Sequence, residues 1–359
     1  MKIARAEIFS YTLPLVAPLP VRNTTITERN GLVLRLTSDT GEISLGEAAP
    51  LPGYSEEDFD QALVDLSNAC TTLRATEIDD TWSPPPNLCG SARFAIESGL
   101  VDLVSQRQRI LFHRALNPDA RDIVFVNALV SANDPDCIAI AQRVVSAGYR
   151  AVKVKVGRID PALEARTIRQ LREAVGDDVT VSLDANRAWD VDTAIQFANR
   201  IADLGVSYIE EPVKHFGDLA QYAANTDVPT ALDESLRHLD PSSLILAQGV
   251  SALVIKPTIL GLKHAMLWAS AARKAGVRVA ASACFESGLG VSRVASFAAA
   301  IGDTTSFAGL DTYAWLANDI LASPRLDLTA GKLNVVEAAW RIDGLRRELP
   351  KELIACQTY

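Results

Sequence analysis

The chain has 359 residues, room for one large barrel or two ordinary domains, and its 48% hydrophobic and 22% charged residues are those of a folded globular protein. A net charge of -9 without any basic run argues against a nucleic-acid or anionic-membrane surface, so an anionic ligand must be held by local charges. Five scattered cysteines (Cys70, Cys89, Cys137, Cys284, Cys356) form no CxxC pair, and no secretory signal or membrane span is legible. A soluble cytoplasmic protein is the expectation.

The first hundred residues read as α+β. Short strands at Gly31–Leu36 and Glu42–Glu47 flank the turn Ser38-Asp39-Thr40-Gly41 and suggest a meander. Ser55-Glu56-Glu57-Asp58 resembles a helix start, with a helical pattern running towards Leu73. After Pro84-Pro85-Pro86 another helix spans roughly Ala92 to Ser105.

From Ile123 the rhythm changes. Eight strand candidates (123–130, 151–156, 179–183, 206–210, 229–232, 252–256, 277–282 and 307–311) alternate with helical stretches such as Asp190–Leu204, Lys263–Ala275 and Leu289–Ile301. That order predicts a (β/α)8-type barrel rather than a doubly wound sheet. Residues 1–115 would form an α+β capping domain, 116–324 the barrel, and the tail 325–359 would return to the cap. No phosphate-binding glycine motif follows an early strand.

Active sites of such barrels lie at the C-terminal ends of the strands. The second candidate, RAVKVKVG, carries Lys153 and Lys155 on one face, because alternate strand residues share a face. The third ends at Asp184, the fourth at Glu210, the fifth at Asp233 and the sixth at Lys256. Three converging carboxylates repel one another unless a cation sits among them, and oxygen donors suit Mg²⁺ first and Mn²⁺ second. No histidine falls at these ends, which disfavours zinc.

Strands two and six stand roughly opposite in an eight-stranded barrel, so Lys155 and Lys256 would face each other across the mouth. This is a constellation for removing a proton from carbon beside a carboxylate. Lys155 would be the base, its pKa lowered by Lys153 beneath it. Singly, each charge is an ordinary surface group or structural ion pair. Together on strands two to six they make that reading the minor one.

At these residues the sequence resembles the enolase superfamily, in the branch with a KxK motif on the second barrel strand. The likeness covers nearly the whole chain. It is carried by GEAAPLPGYSEE (46–57), KVKVG (153–157), LDANRAW (183–189), EEP (210–212), DESL (233–236), VIKPTILG (254–261), FESGLG (285–290) and GLDT (309–312). Within the branch it is most similar to the o-succinylbenzoate synthases, dehydratases of menaquinone biosynthesis. The resemblance implies Mg²⁺ on Asp184, Glu210 and Asp233, with Lys155 as base and then acid, and Lys256 stabilising the anionic intermediate. Asn186 and Glu234 would steady the metal carboxylates. Ser282, Glu286, Ser287 and Gly288 would contact the substrate, the amides of 282–290 holding a succinyl carboxylate. Val21–Asn30 and Pro50–Tyr54 would close over the mouth.

An N-succinylamino acid racemase needs the same two lysines as opposed bases. A dipeptide epimerase fits less well, since GLDT offers only Asp311. A Schiff-base aldolase would use a barrel lysine without needing three carboxylates, and a non-catalytic role predicts no metal dependence. The expected partner is a small-molecule carboxylate.

Overall fold

Residues Ile3–Val21 (β1), Thr24–Ser38 (β2) and Ile43–Ala48 (β3) form an antiparallel meander in the computed structural model. The structure describes all residues except 23, 76, 78–83, 244–247, 303–305, 324 and 351–352. The expected barrel boundary at Pro324, and Asn23 of the expected closing loop, therefore lie outside the described residues. β1 is a strand in spite of three prolines. Pro14, Pro18 and Pro20 lie beyond Glu7–Ser10, the stretch that pairs with the C-terminal strand Ile354–Thr358, so their missing N–H groups remove no ladder bond on that side.

Helices Phe59–Ala75 (α1) and Gly90–Gln108 (α2) pack on this sheet around Ile8, Leu34, Leu66 and Ile96. Asp58 starts α1 by accepting from the Gln61 amide at 2.9 Å, while Glu57 accepts from the Ser91 amide in the first turn of α2 at 2.9 Å. A short helix, Phe112–Leu116 (α3), leads into the barrel.

The first barrel candidate divides. Ile123–Phe125 (β4) pairs antiparallel with Lys332–Asn334, and only Ala128–Ser131 (β5) joins the parallel sheet. The chain then alternates Cys137–Ser146 (α4), Ala151–Lys155 (β6), Pro161–Val175 (α5), Thr180–Asp184 (β7), Val191–Arg200 (α6), Ile209–Glu210 (β8), Leu219–Asn225 (α7) and Thr230–Leu232 (β9). After 3₁₀ turns come Val250–Ile255 (β10), Pro257–Leu260 (α8), Leu262–Lys274 (α9), Arg278–Ala281 (β11) and Gly288–Ile301 (α10). Aspartates begin two of these helices. Asp160 accepts from the Ala162 and Leu163 amides, ahead of Pro161, and Asp190 accepts from that of Thr193.

Strands β5 to β11 lie in sequence order as a parallel seven-stranded sheet. The eighth candidate, 307–311, closes the circle by single bridges instead of a strand: Ala308 to Val126 and Gly309 to Ser282. A Cβ at Gly309 would stand 2.7 Å from Ser282 Oγ, so a glycine is needed for this close approach. Among the described residues no barrel helix follows this eighth segment. The chain proceeds to Lys332–Asn334 (β12), Val335–Arg347 (α11) and Ile354–Thr358 (β13), whose pairing with β1 returns the tail to the N-terminal sheet.

Candidate active site

Parallel register sets the charged groups side by side. Lys155 pairs with Asp184 and Asp184 with Glu210 across β6, β7 and β8, while Asp233 and Lys256 are the first residues past β9 and β10. All lie at the C-terminal rim. Lys155 Nζ donates to Asp184 Oδ2 at 2.6 Å and to Asn186 Oδ1 at 2.8 Å. Lys153 Nζ sits one layer down, 2.5 Å from Glu210 Oε2 and 3.6 Å from Asp184 Oδ2. Lys256 pairs with Asp233.

Burial disfavours the charges of Asp184, Asp233, Glu210, Lys153 and Lys256, and in all but Glu210 the ion pairs outweigh it. Burial would raise the Asp184 carboxyl, but Lys155 and Lys153 hold it below its usual range. Asp233 is likewise lowered by Lys256 against its burial. Glu210 goes the other way, raised by complete burial and by the neighbouring Asp184 charge. Burial lowers Lys153 and Lys256, yet the carboxylates outweigh it and both stay raised. In this structure Lys153 serves first as the counter-ion of Glu210.

Among the described residues, no three His, Cys, Asp or Glu side chains are gathered for a metal ion. Each rim carboxylate is turned to an ammonium group instead. The donor chemistry does fit a hard cation: three buried carboxylates stand on successive strand ends, and Glu210 Oε1 is buried without any hydrogen-bond partner. Asp184, Glu210 and Asp233 would hold Mg²⁺ here.

Asn186 and Glu234 occupy the ring outside these groups. The Asn186 side chain joins Lys155 to Glu234, donating to Glu234 Oε1 at 3.2 Å, and its amide donates to Asp184 Oδ1 at 3.0 Å. Two glutamates with no role expected from the sequence, and Tyr54 of the expected closing segment, also build the site. Buried Glu211 accepts from the Asp233 and Ser235 amides at 2.9 and 2.7 Å, fixing the backbone that carries Asp233. Buried Glu164 accepts from the Gly157 and Arg158 amides at 2.8 and 2.9 Å and ties down the turn after β6. Tyr54, from the expected closing segment, donates to Asp233 Oδ2 at 3.0 Å and accepts from Lys256 Nζ at 2.9 Å. Nothing local in the sequence signals these amide contacts of the two glutamates.

Residues 282–290, expected to contact substrate, make the following bonds within the chain. Ser282 bridges to Gly309 in the barrel wall, and Glu286 is buried, accepting from the Cys284 amide at 2.6 Å. The Ser287 and Gly290 amides donate to Glu47 at 2.9 and 2.7 Å, and the Gly288 amide to Asp319 Oδ1 at 2.9 Å. The chain's own carboxylates thus occupy the donors at the start of α10 that a substrate carboxylate was expected to use. A Cβ on Gly288 would stand 2.3 Å from Asp319 Oδ2, and one on Gly290 2.6 Å from Glu286 Cβ and 3.1 Å from Glu47 Cδ. These glycines make way for carboxylates.

Burial pushes Glu47 up to about 7 from 4.5, against the hydrogen bonds from Ser287 and Tyr11 that pull it down. A carboxyl raised in the folded state binds its proton more tightly there. Its contribution is full below about pH 4.5 and is lost as pH rises through about 7. At most about 3–4 kcal/mol is at stake at ~1.4 kcal/mol per unit. Urea unfolding at pH 5 and pH 8 should therefore show a larger fall for the wild-type chain than for Glu47→Gln.

A capped parallel barrel with acidic and basic groups along its C-terminal rim is the architecture of a barrel enzyme. The chain belongs to the enolase superfamily: residues 136–339 match the family Enolase C-terminal domain-like, and residues 3–98 match MenC, N-terminal domain. It is 29% identical over 340 residues to the o-succinylbenzoate synthase of Aliivibrio fischeri, covering 93% of this chain and 98% of that protein. The o-succinylbenzoate synthase of Klebsiella pneumoniae is 30% identical over 334 residues, at 92% and 97% coverage. The dipeptide epimerase from Cytophaga hutchinsonii, complexed with Mg and dipeptide D-Ala-L-Val, shares the fold with a TM-score of 0.80 at 24% identity, covering 93% of each chain.

Proposed function

We propose that this enzyme dehydrates 2-succinyl-6-hydroxy-2,4-cyclohexadiene-1-carboxylate to o-succinylbenzoate, a step of menaquinone biosynthesis. The observation that carries the chemistry is the placement of Lys155 and Lys256 four strands apart on the rim, with Asp184, Glu210 and Asp233 on the strands between. The likeness to synthases over more than nine-tenths of the chain supports the substrate. In this reading residues 116–324 form the barrel, and 1–115 with 325–359 form the cap.

Mg²⁺, when bound, supplies Lewis-acid stabilisation of negative charge on a substrate carboxylate. Lys155 takes the proton from the carbon beside that carboxylate. The Lys256 ammonium, across the mouth, offsets the charge that develops. Lys155 then returns its proton to the departing hydroxyl, the C–O bond breaks, the ring becomes aromatic and water leaves. Asn186 holds Lys155 towards the rim, and Tyr54 holds Lys256.

A cytoplasmic location fits this role, and among the described residues no helix is long and apolar enough to cross a membrane. A racemase of N-succinylamino acids is the second reading, favoured by the opposed lysines, which could each serve one face. A Schiff-base aldolase leaves the three carboxylates without a task.

Loss of the cyclohexadiene chromophore tests the proposal. Turnover should need Mg²⁺, stop in EDTA and return on adding Mg²⁺, with Mn²⁺ as substitute. Full activity in the chelated enzyme overturns the metal-assisted mechanism, comparable turnover of an N-succinylamino acid demotes the synthase, and borohydride trapping of a carbonyl substrate supports the aldolase.

A further inference from the structure

Two cap side chains hold the loop after β11 from both ends. Buried Arg29, on β2, donates from Nε to the Phe285 carbonyl at 3.1 Å, from Nη1 to that of Pro50 at 2.9 Å and from Nη2 to that of Ala49 at 2.8 Å. Glu47, on β3, holds the far end through the Ser287 and Gly290 amides and the Ser287 hydroxyl, and is braced by the Tyr11 hydroxyl at 2.6 Å. Arg29 thus ties the Phe285 carbonyl, with that of Cys284 at 3.5 Å, to the cap segment Ala49-Pro50, and Glu47 holds the loop's amides.

Between them Phe285 has a φ of 62°, in the left-handed region that a side chain of this size rarely adopts. Such a backbone persists only where its surroundings over-determine it, and it marks functional segments. Asn186, Arg187 and Glu211, also at positive φ, lie within three residues of the ends of β7 and β8 beside the rim carboxylates. Phe285 has a comparable place a few residues past β11, with its ring edge-on to Trp315 at 6.4 Å between centroids. The strain at this loop belongs to the same rim, yet Arg29 and Glu47, two of its restraints, come from the cap.

We propose that Arg29 and Glu47 are positioning residues that set the Cys284–Gly290 loop, and with it the substrate selectivity of the mouth, without touching substrate. The selectivity rests on the dehydratase reading; the positioning does not. Cap docking and the shape of the specificity loop are then one event. A cap that shifts would release both the carbonyls and the amides of the loop.

Glu47→Gln keeps the size and loses the charge, whereas Arg29→Lys keeps the charge and loses the forked geometry. Each should raise KM about tenfold with kcat within about twofold, as expected for loss of ground-state and transition-state binding together. Amide hydrogen exchange at 284–290 should quicken about tenfold while that of β6 stays unchanged. Ser287→Ala, which removes one bond to Glu47, should show a smaller change of the same pattern and serves where the first two variants fail to fold. Exchange at 284–290 that is no faster than wild type, or faster exchange with unchanged KM, overturns the proposal. A wild-type enzyme that does not consume the cyclohexadiene defeats the dehydratase reading alone, and the exchange comparison still decides the positioning.

Discussion

Lys155→Ala should lower kcat for the dehydration by about 10³–10⁴-fold, the upper part of the range for a general base, with the thermal midpoint little changed. The size of the effect follows from geometry. Lys153 cannot replace the missing amine, because it lies one layer below with its ammonium on Glu210 at 2.5 Å and is itself buried. Lys256 stands on the far side of the barrel, paired to Asp233. The fold should tolerate the change, since Lys155 is part-exposed with 23% of its side chain accessible, and Asp184 keeps both Lys153 and the Asn186 amide. Lys155→Arg separates two roles. A guanidinium retains the charge but cannot act as a base, so this variant should be as inactive as the alanine one. Substantial turnover by Lys155→Arg would reduce Lys155 to an electrostatic role.

Period and strand ends made the barrel legible, since parallel strands separated by amphipathic helices leave a strong rhythm and put chemistry at one rim. The same logic located Lys155, Asp184, Glu210, Asp233 and Lys256 without any contact information. It did not resolve which partners each backbone segment takes. Val124 and Val130 look alike as strand residues, yet the first lies on a strand paired with β12 and the second on one paired with β6. Glu211 stands beside Glu210 in EEP, but only the fold shows it bound to the amides of Asp233 and Ser235. FESGLG exposed the limit most clearly. A helix start with glycines reads as a place for a ligand carboxylate, and nothing local reveals that Glu47, some 240 residues earlier, already fills it.

Asp102→Ala should destabilise the chain by about 3–5 kcal/mol, the cost of leaving a buried partner uncompensated. Asp102, on α2, is fully buried between two arginines: Arg293 of α10 at 2.8 Å and Arg346 of α11 at 2.5 Å. Its Oδ2 also accepts from the Leu45 amide of β3 at 3.3 Å, so one carboxylate joins the cap sheet, a cap helix, a barrel helix and the C-terminal helix. Arg293 is already poorly served. Burial pulls it down to about 10 although Asp102 pulls it up, and its Nε has no hydrogen-bond partner. Without Asp102, two guanidinium groups would face each other with one of them sealed from water. Urea unfolding measures the cost, and the exposed bidentate pair of Arg169 and Asp203 provides the contrast: Asp203→Ala should leave the midpoint unchanged. Arg293→Met in the Asp102→Leu background should recover much of the loss, because an apolar pair needs no compensating charge. If the double variant is no more stable than Asp102→Ala, the penalty arises from lost packing and the Leu45 contact rather than from the stranded arginine.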